Sequence, residues 1–127
     1  MSAQQDKDPL LQYVALRRDL WKEHKWPLGS IVAQGCHAAT AALWVSKESA
    51  ETAEYCSSGN LDHMRKVVLE APDEAQLLQI ASKLQEAGIP HKLWIEQPEN
   101  LPTALASAPQ RKSVISPFFK KLKLCRG

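Results

Sequence analysis

A glutamine and a histidine three residues apart, Gln34 and His37, have the types and spacing best suited to chemistry in this chain. Three residues is nearly one helical turn, so both side chains would point the same way. Ser30 lies about one turn earlier, where the unpaired amides and positive dipole end of a helix favour an anion or a developing oxyanion. These residues predict a polar strip at the start of a helix. The alternative interpretation of His37 is a partly buried, hydrogen-bonded structural residue.

The polar strip requires a helix, and we predict one over residues 27–46. Pro27 and Gly29 mark its start, Ser30 can serve as the N-cap, and alanines follow. At about 100° per residue, one broad face carries small and apolar residues. These are Ile31, Val32, Gly35, Ala38, Ala39, Ala42 and Val45. Because glycine and alanine have little bulk, the helix backbone can lie close against a neighbour, and a sheet is the predicted partner.

Size and charge limit the organisation of the chain. With 127 residues, 44% hydrophobic and 24% charged, the sequence predicts one domain with a single core. We expect residues 1–10 to be a disordered tail and residues 11–127 to form the domain. The net charge of +2 alone does not indicate a polyanionic partner. Six basic residues near the C-terminal end could form a basic patch or an ordinary solvated helix face: Arg111, Lys112, Lys120, Lys121, Lys123 and Arg126.

The sequence lacks the patterns of several other protein classes. Cys36, Cys56 and Cys125 have neither the spacing of a zinc site nor the even number of a disulfide framework. We interpret them as reduced thiols and expect a cytoplasmic protein. Residues 1–9 do not resemble a signal or transit peptide. No stretch is expected to be long enough to cross a membrane, and no nucleotide or metal motif is found. We therefore expect no membrane partner, no metal and no cofactor.

Strand and helix patterns alternate along the chain, which predicts an α/β fold with a mixed sheet and helices on its two faces. Strands are expected over residues 11–17, 65–71, 91–96 and 103–107. Helices are expected over residues 27–46, 47–62, 73–87 and 113–124. Residues 20–26 are interpreted as a loop. The predicted order is β-α-α-β-α-β-β-α.

Four short runs occur in an order typical of one known family. They are Leu-Arg-Arg-Asp-Leu at 16–20, Ile-Val-Ala-Gln-Gly-Cys-His-Ala-Ala at 31–39, Thr-Ala-Leu-Ala-Ser-Ala-Pro at 103–109 and Leu-Lys-Leu at 122–124. Together they resemble the archaeal- and eukaryotic-type (type 2) peptidyl-tRNA hydrolase family, and the resemblance extends from residue 11 to residue 124. Residues 26–27, 64–74 and 93–100 are similar to one branch of that family in particular.

The resemblance implies a four-stranded mixed sheet in a three-layer α/β/α sandwich. It also implies hydrolysis, without a metal, of the ester between a peptide or N-blocked amino acid and the terminal ribose of tRNA. Gln34, His37 and Thr103 match site residues of the family. Ser30 stands where the family has a lysine, and Glu96 where it has an aspartate, followed by a shorter loop. These five residues are the candidate catalytic residues, and the two departures make a weak activity one expectation.

Ester hydrolysis requires an oriented water, a base to take its proton and donors for the oxyanion. His37 could be the base, directly or through a water, since histidine commonly titrates near neutral pH. Glu96 could orient the histidine or act as the base itself. Gln34, Thr103 and the amides around Ser30 are the expected donors.

The predicted partner is the acceptor end of tRNA with its attached peptide, which would be bound by cations placed along the phosphates. The candidate RNA-binding residues are Arg17, Arg18, Lys25, Lys120 and Lys121. Either Lys25 or Arg18 could replace the missing lysine. A monomer and a homodimer are both compatible with the sequence. The alternative functions are a catalytically inactive tRNA- or RNA-binding module and a protein-interaction scaffold on the same fold.

Overall fold

The computed structural model describes residues 7–127 and has a mixed β-sheet at its centre. The strands are β1 (Leu10–Arg17), β2 (Lys66–Ala71), β3 (His91–Glu96), β4 (Leu101–Ser107), β5 (Gln110–Arg111) and β6 (Lys123–Leu124). The helices are α1 (Arg18–Lys22), α2 (Leu28–Val45), α3 (Ala50–Tyr55), α4 (Glu74–Glu86) and α5 (Lys112–Phe119), with a 3₁₀ turn at Leu61–His63. Residues 1–6 of the predicted tail lie outside the described residues.

The strand order is β3-β4-β1-β2-β6, and β5 pairs with the start of β1. β1 is parallel to β2 and antiparallel to β4, while the β3–β4 and β2–β6 pairs are antiparallel. The predicted α/β fold with a mixed sheet is therefore confirmed. The predicted number of four strands is wrong, because the sheet has six. β5 and β6 have two residues each, too few for a periodic pattern, and only their pairing with a neighbour makes them strands.

β1 is buried along its whole length, as its nearly continuous apolar sequence predicts. Its alternate side chains enter two separate cores. Leu11, Tyr13 and Ala15 pack with α4 and α5 on one face of the sheet. Val14 and Leu16 pack with α1 and α2 on the other. Helices thus cover both faces, and β1 carries the residues that join the two cores.

Helix α2 lies very close to β1, because Gly35 faces the strand. A Cβ added at Gly35 would be 3.2 Å from Leu16 Cδ2 and 3.7 Å from Val14 Cγ1. The predicted packing of this small-residue face on a sheet is confirmed, with contacts to β1, β3 and β4. By length and composition alone, α2 is long enough and, with a mean hydropathy of 1.2, apolar enough to cross a membrane. The prediction that no stretch is long enough is therefore wrong. Packing against the sheet accounts for its apolar character.

The start of α2 differs from the prediction. Pro27 is the N-cap residue and makes no side-chain cap, while Ser30 lies within the first turn. The Ser30 amide donates to Pro27 O at 3.0 Å. Ser30 is therefore already the third residue of the helix, past the position from which a side chain caps its first turn. The preceding segment, predicted as a loop over residues 20–26, begins inside α1.

Two other helix predictions are too long. The helix predicted over residues 113–124 ends at Phe119, because the chain then turns and pairs β6 with β2. The helix predicted over residues 47–62 is reduced to Ala50–Tyr55, where the Ser49 hydroxyl accepts the Thr52 amide at 3.2 Å as an N-cap.

Candidate active site

A cleft of about 400 Å³ lies at the sheet end where β3 finishes and β4 begins, beside the first turns of α2. Glu96, the last residue of β3, is paired with Leu101, the first residue of β4. Thr103 follows two residues later, and α2 crosses above both strands. The cleft is lined by Trp26, Pro27, Ser30, Ala33, Gln34, His37, Glu96 and Glu99. Four of the five predicted catalytic residues are therefore among its lining residues, and the fifth, Thr103, contacts one of them.

The buried amide of Gln34 connects α2 to both strands. Thr103 Oγ1 donates to Gln34 Oε1 at 2.7 Å, and Gln34 Nε2 donates to Glu96 Oε2 at 3.2 Å. A primary amide has two N–H donors, so one remains for another acceptor. The Thr103 hydroxyl has only one proton, and Gln34 receives it. The expectation that Thr103 donates directly to an oxyanion is therefore wrong for this geometry, and its contact orients Gln34 instead.

Glu96 is held as a carboxylate by neutral donors. Trp94 Nε1 donates to Glu96 Oε1 at 3.0 Å, and Gln34 occupies the other oxygen. The Trp94 bond, then the Gln34 bond, lower the pKa of the Glu96 carboxyl below its usual 4.5, with a smaller contribution from the charge of His37; partial desolvation opposes them. Glu96 is consequently ionised at neutral pH, and each of its oxygens already accepts one hydrogen bond.

The imidazole of His37 is positioned by stacking. Its ring lies on the Trp94 indole, with centroids 4.5 Å apart and planes inclined by 14°. His37 is exposed, and in the described part of the chain its ring nitrogens have no hydrogen-bond partner. Trp94 thus holds the histidine through its ring face and the carboxylate through its N–H. The arrangement leaves the imidazole free to exchange a proton with a molecule in the cleft.

The cleft has an acidic lining. It contains the carboxylates of Glu96 and Glu99, and neither lysine nor arginine is among its lining residues. Ser30 lies in the wall of the cleft, but its amide is bonded to Pro27 O. Of the amides around Ser30 that are predicted as oxyanion donors, the amide of Ser30 itself is therefore occupied. The Ser30 hydroxyl, the second N–H of Gln34 and Trp26 Nε1 belong to lining residues and have no acceptor among residues 7–127.

Arg17, predicted to bind RNA, is buried, and four of its five guanidinium N–H groups donate to other residues. Its guanidinium forms two bonds to the Asp19 carboxylate, from Nε at 3.0 Å and from Nη2 at 2.7 Å. Nη1 donates to Pro102 O at 2.8 Å and lies 3.4 Å from Glu74 Oε1. Arg17 therefore connects β1, α4 and the backbone immediately before Thr103, and with only 7% of its side chain exposed it is not available to a phosphate.

The other predicted RNA-binding residues lie outside the cleft. Arg18 forms a 3.1 Å ion pair with Glu70 at the end of β2. Lys25 Nζ donates to Lys22 O at 3.1 Å, so it remains at the end of α1. Lys120 and Lys121 follow α5 and line a separate recess with Phe118. Neither Arg18 nor Lys25 supplies the charge that Ser30 lacks.

Three residues of the site were not identified as site residues from the sequence. Trp94, the first of the three, supports both His37 and Glu96. A signal was present, because residues two apart on a strand share a face, which brings Trp94 beside Glu96. Trp26 belongs to the segment predicted as a loop, and Glu99 lies in a turn without a pattern that indicates its direction.

One group of side chains among residues 7–127 could offer three metal ligands. Asp19, Glu23 and His24 have ligand atoms within 4.8 Å of one another. The Asp19 carboxylate is already occupied by two bonds from Arg17, and none of the three residues lines the cleft. The group therefore gives the cleft no metal, and the absence of a metal and of a cofactor stays a prediction.

Comparison with known proteins identifies the class to which this fold and site belong. The family model described as peptidyl-tRNA hydrolase PTH2 matches residues 10–125. The peptidyl-tRNA hydrolase of Methanococcus maripaludis strain C7 is 30% identical over 119 residues, covering 89% of this chain and 97% of the relative. That of Pyrobaculum aerophilum is 28% identical over 116 residues, covering 87% and 93%. The chain belongs to the PTH2 family.

A more similar relative indicates the branch. The human protein named "Putative peptidyl-tRNA hydrolase PTRHD1" is 48% identical over 116 residues, covering 91% of this chain and 81% of the relative. This confirms the resemblance to the branch of peptidyl-tRNA hydrolase domain-containing protein 1.

Proposed function

We propose that this protein hydrolyses the ester bond between a peptide, or an N-blocked amino acid, and tRNA, and thereby releases free tRNA. Membership of the PTH2 family and the names of the archaeal relatives support this reaction. The observation that carries it is the network in which Thr103 orients Gln34, Gln34 contacts Glu96, and His37 stands free beside them in one cleft. The substrate would be the acceptor end of tRNA with its peptide, in the cytoplasm.

His37 is the better base of the two candidates. The lowered pKa of Glu96 makes its carboxylate a weak proton acceptor, whereas a general base works best when its own titration lies near the operating pH. In the proposed reaction His37 takes a proton from a water that attacks the ester carbonyl. The negative charge of Glu96 stabilises the imidazolium that forms.

The tetrahedral oxyanion then needs donors that are already in place. The second N–H of Gln34 and the Ser30 hydroxyl serve in this role, because both residues line the cleft. When the intermediate collapses, the C–O bond to the ribose breaks, and the imidazolium of His37 returns its proton to the departing ribose oxygen. The products are the carboxylic acid of the peptide and the free ribose hydroxyl of tRNA, and water is the only reactant besides the ester.

The acidic lining supports a low turnover. An oxyanion near Glu96 and Glu99 is repelled by both carboxylates, and no lysine lies in the cleft to offset them. Because an ester to a ribose hydroxyl is more reactive than an amide, modest stabilisation is sufficient for a measurable rate.

The testing experiment measures release of an N-acetylaminoacyl group from tRNA by the purified protein. His37→Ala and Glu96→Gln are the paired variants, with folding checked by circular dichroism. Removal of a general base commonly costs about 10²–10⁴-fold in rate. We expect loss of turnover in both variants with little loss of stability. A folded wild-type protein with no rate above the uncatalysed reaction would refute the proposal.

The lack of a cation in the cleft favours one second candidate, an RNA-binding module that holds the tRNA acceptor end without cleaving it. A gel shift with tRNA, a salt dependence that indicates several phosphate contacts and no ester cleavage would identify this function. Hydrolysis sensitive to His37→Ala would exclude it.

A further inference from the structure

The cleft lacks the cations that a protein needs to hold a polyanion such as tRNA. Binding of tRNA draws most of its affinity from cations that neutralise phosphates. The cleft has two carboxylates and no lysine or arginine in its lining, so it is unsuited to that task. Within residues 7–127, the cations that could contact phosphates therefore lie outside the cleft.

Four basic residues surround a recess of about 710 Å³ at the other side of the same sheet end. This cationic corner consists of Arg18 after β1, Lys22 in α1, Lys123 in β6 and Arg126. Glu70 also lines it, so the lining side chains carry a net charge of three positive units, from four cations and one carboxylate. The recess is wide and open, as a backbone-binding surface requires.

Glu70 keeps the corner in place and does not neutralise it fully. Its carboxylate pairs with Arg18 at 3.1 Å, and its backbone is paired in register with Lys123. Lys22, Lys123 and Arg126 are exposed, and none of these three forms a salt bridge within the described residues. Three cations thus remain available for an anion that enters the recess.

The sheet sets the distance between the corner and the cleft. Glu96 ends β3 and Lys123 begins β6, and the order β3-β4-β1-β2-β6 separates them by four strand spacings. At the usual spacing this is about 19 Å. That length corresponds to about six stacked nucleotides at 3.4 Å each. Both sites lie at the same end of the sheet, so one nucleic acid strand can reach both.

We propose that the cationic corner is a second binding site, which holds phosphates of tRNA a few nucleotides away from the ester in the cleft. This inference rests on the proposed function for its substrate. The positive charge that the cleft lacks is then supplied by Lys22, Lys123 and Arg126, and Lys123 lies about 19 Å from Glu96 by strand spacing. The corner anchors the acceptor stem, and the cleft receives only the uncharged ester.

The first test measures binding of deacylated tRNA as a function of salt. We expect Lys22→Ala/Lys123→Ala to weaken binding about tenfold at low salt and to lower the salt slope by one to two units, about one unit for each lost phosphate contact. Lys83→Ala/Lys112→Ala is the matched control, because it removes two exposed lysines that do not line the corner. Equal effects of the two double variants would overturn the proposal, as would wild-type binding to anionic lipid vesicles but not to tRNA.

The second test compares hydrolysis of two esters, one on full-length tRNA and one on a three-nucleotide RNA that is too short to reach the corner. The corner variant should raise KM for the tRNA ester about tenfold and leave the short ester unchanged. An equal loss on both substrates would show a structural effect and overturn the proposal. If the wild-type protein cleaves neither ester, the hydrolase function fails while the binding test still decides the role of the corner.

Discussion

Thr103 Oγ1 donates a hydrogen bond of 2.7 Å to Gln34 Oε1, and this bond fixes the direction of the Gln34 amide. A carboxylate can only accept, so the nitrogen of that amide must face Glu96 and its oxygen must face Thr103. The orientation follows from the chemistry of the two partners. One N–H of Gln34 thereby remains without an acceptor among the described residues.

Thr103→Val removes this donor with almost no change of shape. We expect the free energy of unfolding to fall by about 1–3 kcal/mol, because Gln34 Oε1 is left buried without a partner. Turnover should fall as well, since the amide is free to rotate. Denaturant unfolding and the ester-release assay measure the two effects. Thr103→Ser keeps the hydroxyl and should retain the rate; an equal rate loss in both variants would contradict an orienting role.

Trp94→Phe separates the two tasks of the indole, because phenylalanine keeps a ring under His37 but has no N–H. The pKa of Glu96 should then rise, since its largest lowering contribution is lost. With a lowered folded-state pKa, Glu96 contributes stability that is present above its unfolded pKa and disappears as pH falls through the folded value. The pH window over which this stability is lost should therefore become narrower and end at a higher pH. A carboxyl resonance that titrates unchanged in NMR would disprove the assignment.

Arg17→Met tests the buried ion pair. Removing the guanidinium leaves the carboxylate of Asp19 buried with no strong partner, which we expect to cost about 3–5 kcal/mol in unfolding free energy. The exposed pair of Arg111 and Glu54 is the matched case, and Arg111→Met should cost about 0–1 kcal/mol. Chemical denaturation of both variants measures the two losses of unfolding free energy. Similar losses would show that burial of Arg17 is not the source of its effect.

Ser30→Lys restores a cation in the wall of the cleft. Lysine there lies near Glu96 and Glu99, which favours its charged form, although the helix dipole opposes it slightly. We expect a faster release of the acyl group and a salt slope for tRNA that is larger by about one unit. Rates and slopes identical to wild type would mean that the substrate does not pass Ser30.

Much of the frame could be predicted from local patterns. Helix α2 begins and ends within one residue of the predicted 27–46, because its small residues both favour a helix and fit against a sheet. The shared direction of Gln34 and His37 follows from helical geometry alone, and both line the cleft. These features depend on residues that are neighbours along the chain, so one amino-acid sequence is sufficient to predict them.

The remaining features depend on partners far away along the chain. The burial of Arg17 could not be predicted, because two of its three partners, Glu74 and Pro102 O, lie 57 and 85 positions away. The role of Thr103 depends on an amide 69 positions earlier. Such contacts are set by the packing of whole elements and leave no periodic signal.

The two-residue strand β6 has a consequence for the behaviour of the protein in concentrated solution. It covers the end of β2, and Cys125 N extends the cover by donating to Val68 O at 3.0 Å. Without it, the Val67-Val68-Leu69 segment would present unpaired backbone groups along an open edge, and such edges template pairing between molecules. The short C-terminal strand therefore protects this edge from pairing with another molecule. Its first residue, Lys123, is exposed.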